Sequence, residues 1–209
     1  IIASLAGLVK SWPISLMVLT SILMMTYMEE TGALQRLIVF FKTLGGGSRP
    51  MQIMLISLGL GLFLVGIGAT PVSMLPPVML SLGFSPLVAV ALPSIGYDPL
   101  TTFALLGVPA VVFQGEFSAV SGIELPLWEA GSVFALYMPV ITTGIAISML
   151  WIAGGKELVT DKEGLLLAVI SVITAGGVAI ISNLEIVNQT TLTNVFAGTA
   201  VTTVLSLYT

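Results

Sequence analysis

Two stretches of this chain, Ser132–Ala153 and Leu165–Ser182, run from end to end without an Asp, Glu, Lys or Arg. Each is close to the roughly 20 apolar residues needed to cross a hydrocarbon core. Inside a bilayer no water satisfies backbone N–H and C=O groups, so a spanning segment must bond internally. Continuous apolar runs of this length predict helices. The whole chain carries only 8% charged residues, against about 25% in soluble domains, with a mean hydropathy of +1.13. The expected fold class is an all-α polytopic membrane protein of about five to seven helical segments, treated as one transmembrane domain over 1–209.

Several function classes drop out. With no Cys and no His, disulfides, thiol nucleophiles, the usual zinc and haem ligands and His acid–base chemistry are absent. Neither an enzyme nor a cofactor is expected, and no metal site. Six basic residues in 209 build no nucleic-acid face.

In chain order, Ile1–Val9 reads as a helix end and Lys10-Ser11-Trp12-Pro13 as a turn at the interface. Ile14–Met28 is an apolar run. Ala33–Leu44 places Leu34, Leu37, Ile38 and Phe41 at helical spacing with Gln35, Arg36 and Lys42 elsewhere on the wheel, which predicts an interfacial amphipathic helix. Gly45–Pro50 lacks the Gly-Lys-Ser/Thr of a phosphate loop and reads as a linker. Met51–Val65 is apolar, with Ser57 and Gly61 at the spacing of close helix packing.

Two interruptions follow: Gly66-Ile67-Gly68-Ala69-Thr70-Pro71 and Gly96-Tyr97-Asp98-Pro99. Between them Val72–Leu82 covers only about half a hydrocarbon core. Gly83-Phe84-Ser85-Pro86 then turns the chain. Residues 51–82 are therefore expected to form a re-entrant hairpin, and 87–113 one interrupted crossing. Gln114–Gly131, Gly154–Gly164 and Asn183–Asn194 read as connections, and Val195–Tyr208 begins another helix.

Charge supports that topology. If the hairpin enters and leaves on one side, 29–50, 83–86 and 154–164 share it. They hold Arg36, Lys42, Arg49, Lys156 and Lys162, leaving only Lys10 opposite. By the positive-inside rule that side is cytoplasmic, and 114–131 and 183–194 are external.

A break at membrane depth is the natural place for a site. Helix starts expose unpaired N–H groups and the positive dipole end, which suits a small carboxylate. The expected substrate contacts are Gly66, Gly68, Thr70, Pro71 and Ser73 at the first break, and Gly96, Pro99, Thr101 and Thr102 at the second. Asp98 is the candidate for proton coupling, since an acid in a membrane segment is costly; its plain alternative is a helix N-cap. Glycine and proline are also common in membrane helices for packing and bending alone.

At these residues the chain resembles the L-lactate permease family. That family has Gly-Phe-Gly-Ala/Thr-Pro-Val, an apolar run, then Leu-Gly-Phe-x-Pro. Here Thr70-Pro71-Val72 is followed at the same distance by Leu82-Gly83-Phe84-Ser85-Pro86. Pro99, Phe103, Gly107, Val108 and Pro109 match a later motif, and Thr31–Leu34 and Arg49–Leu55 also look alike. The resemblance covers roughly residues 12–115. Val65 stands where the family has a glutamate, the glycine segment is two residues shorter, and Asp98 replaces a small neutral residue.

The resemblance implies a plasma-membrane permease taking up lactate, glycolate or a similar 2-hydroxy acid by proton symport. Family members are longer, so the chain looks like an N-terminal portion or a half-length relative. The expected partners are a small anionic substrate, the lipid bilayer, a proton or cation co-substrate, and a second permease half or another copy. The alternatives are another organic-anion carrier of hairpin and broken-helix type, or a non-transporting membrane subunit.

Overall fold

The computed structural model describes residues 30–44 and 47–208, together with scattered positions between 7 and 28. Of the expected runs Ile1–Val9 and Ile14–Met28, the described residues are Gly7, Leu8 and Val9 in the first and Ser15, Leu16, Leu19, Thr20, Leu23, Thr26, Tyr27 and Met28 in the second, all helical. Ser11 and Trp12, read above as part of a turn, are helical. Among the described residues every regular element is a helix.

The molecule is built around α2, Arg49–Gly66. Helix α1, Ala33–Leu44, precedes it with the bounds its periodicity predicts. Ser48 caps α2, accepting from Met51 N–H at 3.5 Å. Beyond that first turn Ser57 is the one polar side chain of α2, the pattern of a helix surrounded by protein. Every residue from Ile53 to Leu60 is buried, and these eight form a π-helix. Such wide turns occur where a helix accommodates an unusual contact. Here two other segments press on it: Gly96 lies on Ser57, and Gly198 lies on Gly59 and Phe63.

Gly68 ends α2. Its φ of +88° lets Gly68 N–H reach Val65 O at 3.1 Å and Ala69 N–H reach Leu64 O at 2.9 Å. This pair of bonds is a Schellman cap, which a residue bearing Cβ adopts only with strain. The chain reverses into α3, Pro71–Ser81, which bends at Leu75 where Pro76 and Pro77 remove two N–H donors.

Helix α4, Pro86–Gly96, starts from a Ser85 cap and packs on α3 and α2. A 3₁₀ turn, Asp98–Phe103, follows. Next comes α5, Ala104–Ser121, whose opening holds three left-handed residues, Leu105, Leu106 and Gly107. The helix then continues to Ser121, through residues expected to be a connection. Helix α6, Leu127–Thr160, is interrupted at Gly155 (φ 63°, ψ −149°), so the expected connection from Gly154 is partly helical. Helix α7, Lys162–Ser182, and α8, Thr193–Tyr208, complete the bundle.

Among the described residues four helices are long and apolar enough to cross a membrane: α2, the combined stretch Pro86–Ser121, α6 and α7. The chain is an all-helical membrane protein. Two contacts tie connections together at one end of the bundle. Ser48 Oγ donates to Glu163 Oε1 at 2.5 Å, and the Arg49 guanidinium stands 5.6 Å from the Phe84 ring centre. The starts of α2, α4 and α7 are thereby neighbours. Gly66, Gly107 and Gly131 meet the 183–194 turn instead.

Candidate functional site

Both interruptions lie against the last turns of α2. Gly61 faces Tyr97, with room for a Cβ 3.6 Å from the Tyr97 Cβ. Gly96 sits tighter on Ser57: a Cβ there would be 2.3 Å from the Ser57 carbonyl oxygen. The spacing of Ser57 and Gly61 is thus the spacing of a real crossing, with α4 as the partner. Pro71–Met74 packs on α4, and Gly61–Gly66 packs on the 3₁₀ turn.

At the first break, Gly66, Gly68 and Pro71 are buried while Thr70 and Ser73 are exposed. Thr70 does not cap the helix that follows it. Its Oγ1 lies 2.7 Å from Ser73 Oγ, and Ser73 Oγ reaches Thr70 O at 2.9 Å. Thr70 is extended before Pro71, at φ −98° and ψ 100°, and the two hydroxyls satisfy each other. Gly68 is explained by its cap alone.

At the second break, Gly96 and Pro99 are buried, Asp98 and Thr101 exposed and Thr102 half-buried. Thr101 Oγ1 donates to Asp98 O at 2.8 Å. The element starting at Asp98 is a 3₁₀ turn of six residues, not the α-helix start expected. Among the described residues no hydrogen bond joins Thr70 or Ser73 to Asp98, Thr101 or Thr102. The structure therefore makes the breaks neighbours through α2 without linking their polar groups. Nor do three acidic side chains gather anywhere among the described residues.

Compared with protein-family models, with curated proteins and with solved structures, the chain has no match.

The geometry adds two features that the sequence reading passed over. The first is Ser57. It is 0% exposed and its Oγ has no hydrogen-bond partner in the protein. Buried Ser and Thr in helices ordinarily donate to the carbonyl four residues back. Thr142 does so to Met138 O at 2.6 Å and Ser171 to Leu167 O at 2.8 Å. Ser57 lies in the π-helix, whose wider turn displaces that carbonyl. The second is the 183–194 turn, read above as an external connection. Asn183, Thr190, Thr193 and Asn194 are at most 1% exposed, and a Cβ on Gly66 would lie 2.9 Å from Asn194 Cβ. A sequence signal existed in the two asparagines set at the junctions with apolar runs.

The larger of the described cavities, about 370 Å³, lies elsewhere. Phe40, Leu60, Phe63 and the α8 hydroxyls Thr199, Thr202, Thr203 and Ser206 line it.

Proposed function

We propose that the protein is a secondary active carrier of small monocarboxylates, taking lactate, glycolate or a similar 2-hydroxy acid by proton symport across the plasma membrane. The observation that carries the reading is the placement of both interruptions against the last turns of one buried helix. Irregular backbone is tolerated at membrane depth only where it is packed in protein or lines a polar path. Carriers use such discontinuous helices to meet ions and carboxylates.

In this reading α2 and α3 form the re-entrant hairpin and Pro86–Ser121 the interrupted crossing. Support for the hairpin comes from Arg49 beside Phe84, which returns the chain to the end where it entered. Support for the interruption comes from the 3₁₀ turn and from the left-handed Leu105–Gly107. The end that holds Arg49, Glu163 and Phe84 is cytoplasmic on the charge rule.

The exposed hydroxyls of Thr70, Ser73 and Thr101, with Thr102, meet the carboxylate by exchanging their internal bonds for bonds to it. Gly66, Gly68, Pro71, Gly96 and Pro99 shape the backbone around it. Asp98 carries the coupling proton.

Uptake of labelled L-lactate into proteoliposomes tests the reading. Saturable uptake is expected, reduced about tenfold or more in Thr70→Val and Ser73→Ala, since each lost hydrogen bond to a charged group is worth about 1.5–3 kcal/mol. Wild-type levels in both variants would remove the site. Absence of saturable uptake in the wild type would remove the carrier. Uptake by Asp98→Asn with the wild-type pH profile would remove the proton role.

A further inference from the structure

The carrier reading leaves the larger cavity unused. It lies between α1, α2 and α8, with Phe40, Phe63 and the α8 hydroxyls Thr199, Thr202, Thr203 and Ser206 on its walls. Its chemistry is more apolar than those hydroxyls suggest. Thr199 donates to Val195 O at 2.6 Å, Thr202 to Gly198 O at 2.8 Å, Thr203 to Thr199 O at 2.8 Å and Ser206 to Thr202 O at 2.6 Å. Each hydroxyl places its proton on its own helix, and no charged residue lines the space. An anion meets no free donor here, so the lining suits a hydrocarbon.

Depth and size narrow the class. Gly198 sits on Phe63, and a Cβ on Gly59 would lie 2.9 Å from Thr202 Oγ1. The cavity therefore flanks the crossing of α8 with α2, a helix long and apolar enough to span a membrane. Along α8 it runs from Thr199 to Ser206, about 10 Å. A helix about 10 Å across needs roughly 800 Å³ to fill that length, and the cavity offers about 370 Å³. That is too narrow for a partner helix and wide enough for one hydrocarbon chain. Left empty at this depth, the lining would forfeit its contacts.

Charge points to the other end of the ligand. Gly66 meets Asn194, and α8 packs along α2 from there, so later residues of α8 approach the end that holds Arg49. From Thr31 to Met51 the chain carries Arg36, Lys42 and Arg49 and no acid. Arg36 is exposed, and Glu163, which reaches this stretch, is held by Ser48 Oγ. Each Lys or Arg near a membrane surface favours an anionic lipid about fivefold.

We propose that the cavity seats one acyl chain of an anionic phospholipid, with its phosphate toward the basic stretch 36–49. The bound chain bridges Phe40 of α1 to α2 and α8. The site stands on the cavity and the charges alone, whether or not the protein carries monocarboxylates.

Native mass spectrometry and thermal unfolding of the purified protein in detergent micelles test it, with added phosphatidylglycerol or phosphatidylcholine of identical acyl chains. One phosphatidylglycerol is expected to stay bound and to raise the unfolding temperature saturably, at a concentration at least fivefold below that needed for phosphatidylcholine. Thr203→Phe puts a ring into the cavity. It is expected to unfold at or above the wild-type temperature and to bind phosphatidylglycerol at least tenfold more weakly. Thr203→Leu, with a smaller side chain, should bind with intermediate affinity and is read instead if the larger variant unfolds early. Leu136→Phe, on an exposed position of α6 outside the cavity, keeps wild-type binding. Arg36→Gln combined with Lys42→Gln keeps a bound lipid and loses the preference for phosphatidylglycerol. Equal affinity of the wild type for the two lipids overturns the proposal, as does binding that is unchanged in both Thr203 variants. Absence of any saturable response overturns it, and so does inorganic phosphate that reproduces the shift without a chain. None of these outcomes bears on lactate uptake, which tests the carrier reading separately.

Discussion

Substituting Gly96 by Ala tests whether the second interruption is seated on α2 as described. The new methyl would stand 2.3 Å from Ser57 O, 2.6 Å from Ser57 C and 3.0 Å from Ser57 Cβ. Carbon contacts are favourable at about 3.5–4.0 Å, so the overlap exceeds about 1 Å. The atoms it meets first belong to backbone within a fully buried helix, and no side-chain rotation relieves them. Overpacking of this kind costs about 1–3 kcal/mol, and rigid backbone on both sides puts Gly96→Ala at about 3. For a chain of this size each kcal/mol shifts the midpoint by about 2–4 °C, giving a fall of about 6–12 °C. Gly144→Ala is the matched comparison, since a Cβ there has nothing within 4 Å. It gains helix propensity of up to about 1 kcal/mol and should hold or raise the midpoint. Tryptophan emission during heating in detergent micelles reads both. Adding Ser57→Gly to Gly96→Ala should not restore stability, because the nearest clash is with backbone. The reasoning fails if Gly96→Ala unfolds at the Gly144→Ala temperature, or if Ser57→Gly rescues it.

The same heating experiment checks three further expectations. Gly198→Ala places a methyl 2.2 Å from Phe63 N and 2.6 Å from Phe63 Cα, so it should destabilise by about 3 kcal/mol or more by separating α8 from α2; a midpoint within a degree of wild type would contradict the crossing. A double-mutant cycle on Ser48→Ala and Glu163→Gln should give a coupling of about 1 kcal/mol, and zero coupling would mean that the two connections do not meet. Leu106→Gly should be neutral or stabilising. Leu106 is left-handed at φ 56° and 45% exposed, and relief of about 1–2 kcal/mol of strain offsets about 0.5–1 kcal/mol of added chain entropy. A loss above about 1 kcal/mol would show that its side chain carries packing.

What was legible in the sequence is what rests on local chemistry. The bounds of α1 follow from 3.6-residue spacing. Ser57 and Gly61 announced a close crossing, and their partner proved to be α4. Gly68 and Gly83 announced reversals, since only a glycine closes such caps without strain. The rest depended on tertiary packing. Leu105 and Leu106 carry no turn signal, and nothing local places leucine in the left-handed region. The polar stretch from Gln114 reads as a loop, yet it stays helical to Ser121, where Gln114 Nε2 bonds Leu125 O at 2.7 Å and Phe113 meets Phe134 edge-on at 5.1 Å. Asn183–Asn194 reads as solvent-facing by composition. Leu184, Glu185, Ile186, Asn188 and Gln189 are exposed as that reading expects, while Asn183, Thr190 and Asn194 are buried against glycines far away in the chain, at Gly66 and Gly131. The donors expected from two α-helix starts are fewer, because Thr70 and Ser73 bond each other and Asp98 opens a 3₁₀ turn.

Counterflow puts the carrier claim to its most direct test. Proteoliposomes containing the protein are preloaded with unlabelled L-lactate and diluted into a trace of labelled L-lactate, and internal label is followed with time. A carrier that exchanges substrate through one closed site accumulates label transiently above its outside concentration. That overshoot is predicted with L-lactate inside and not with sulfate inside. Label that never exceeds equilibrium, whatever the preloaded anion, would contradict the account.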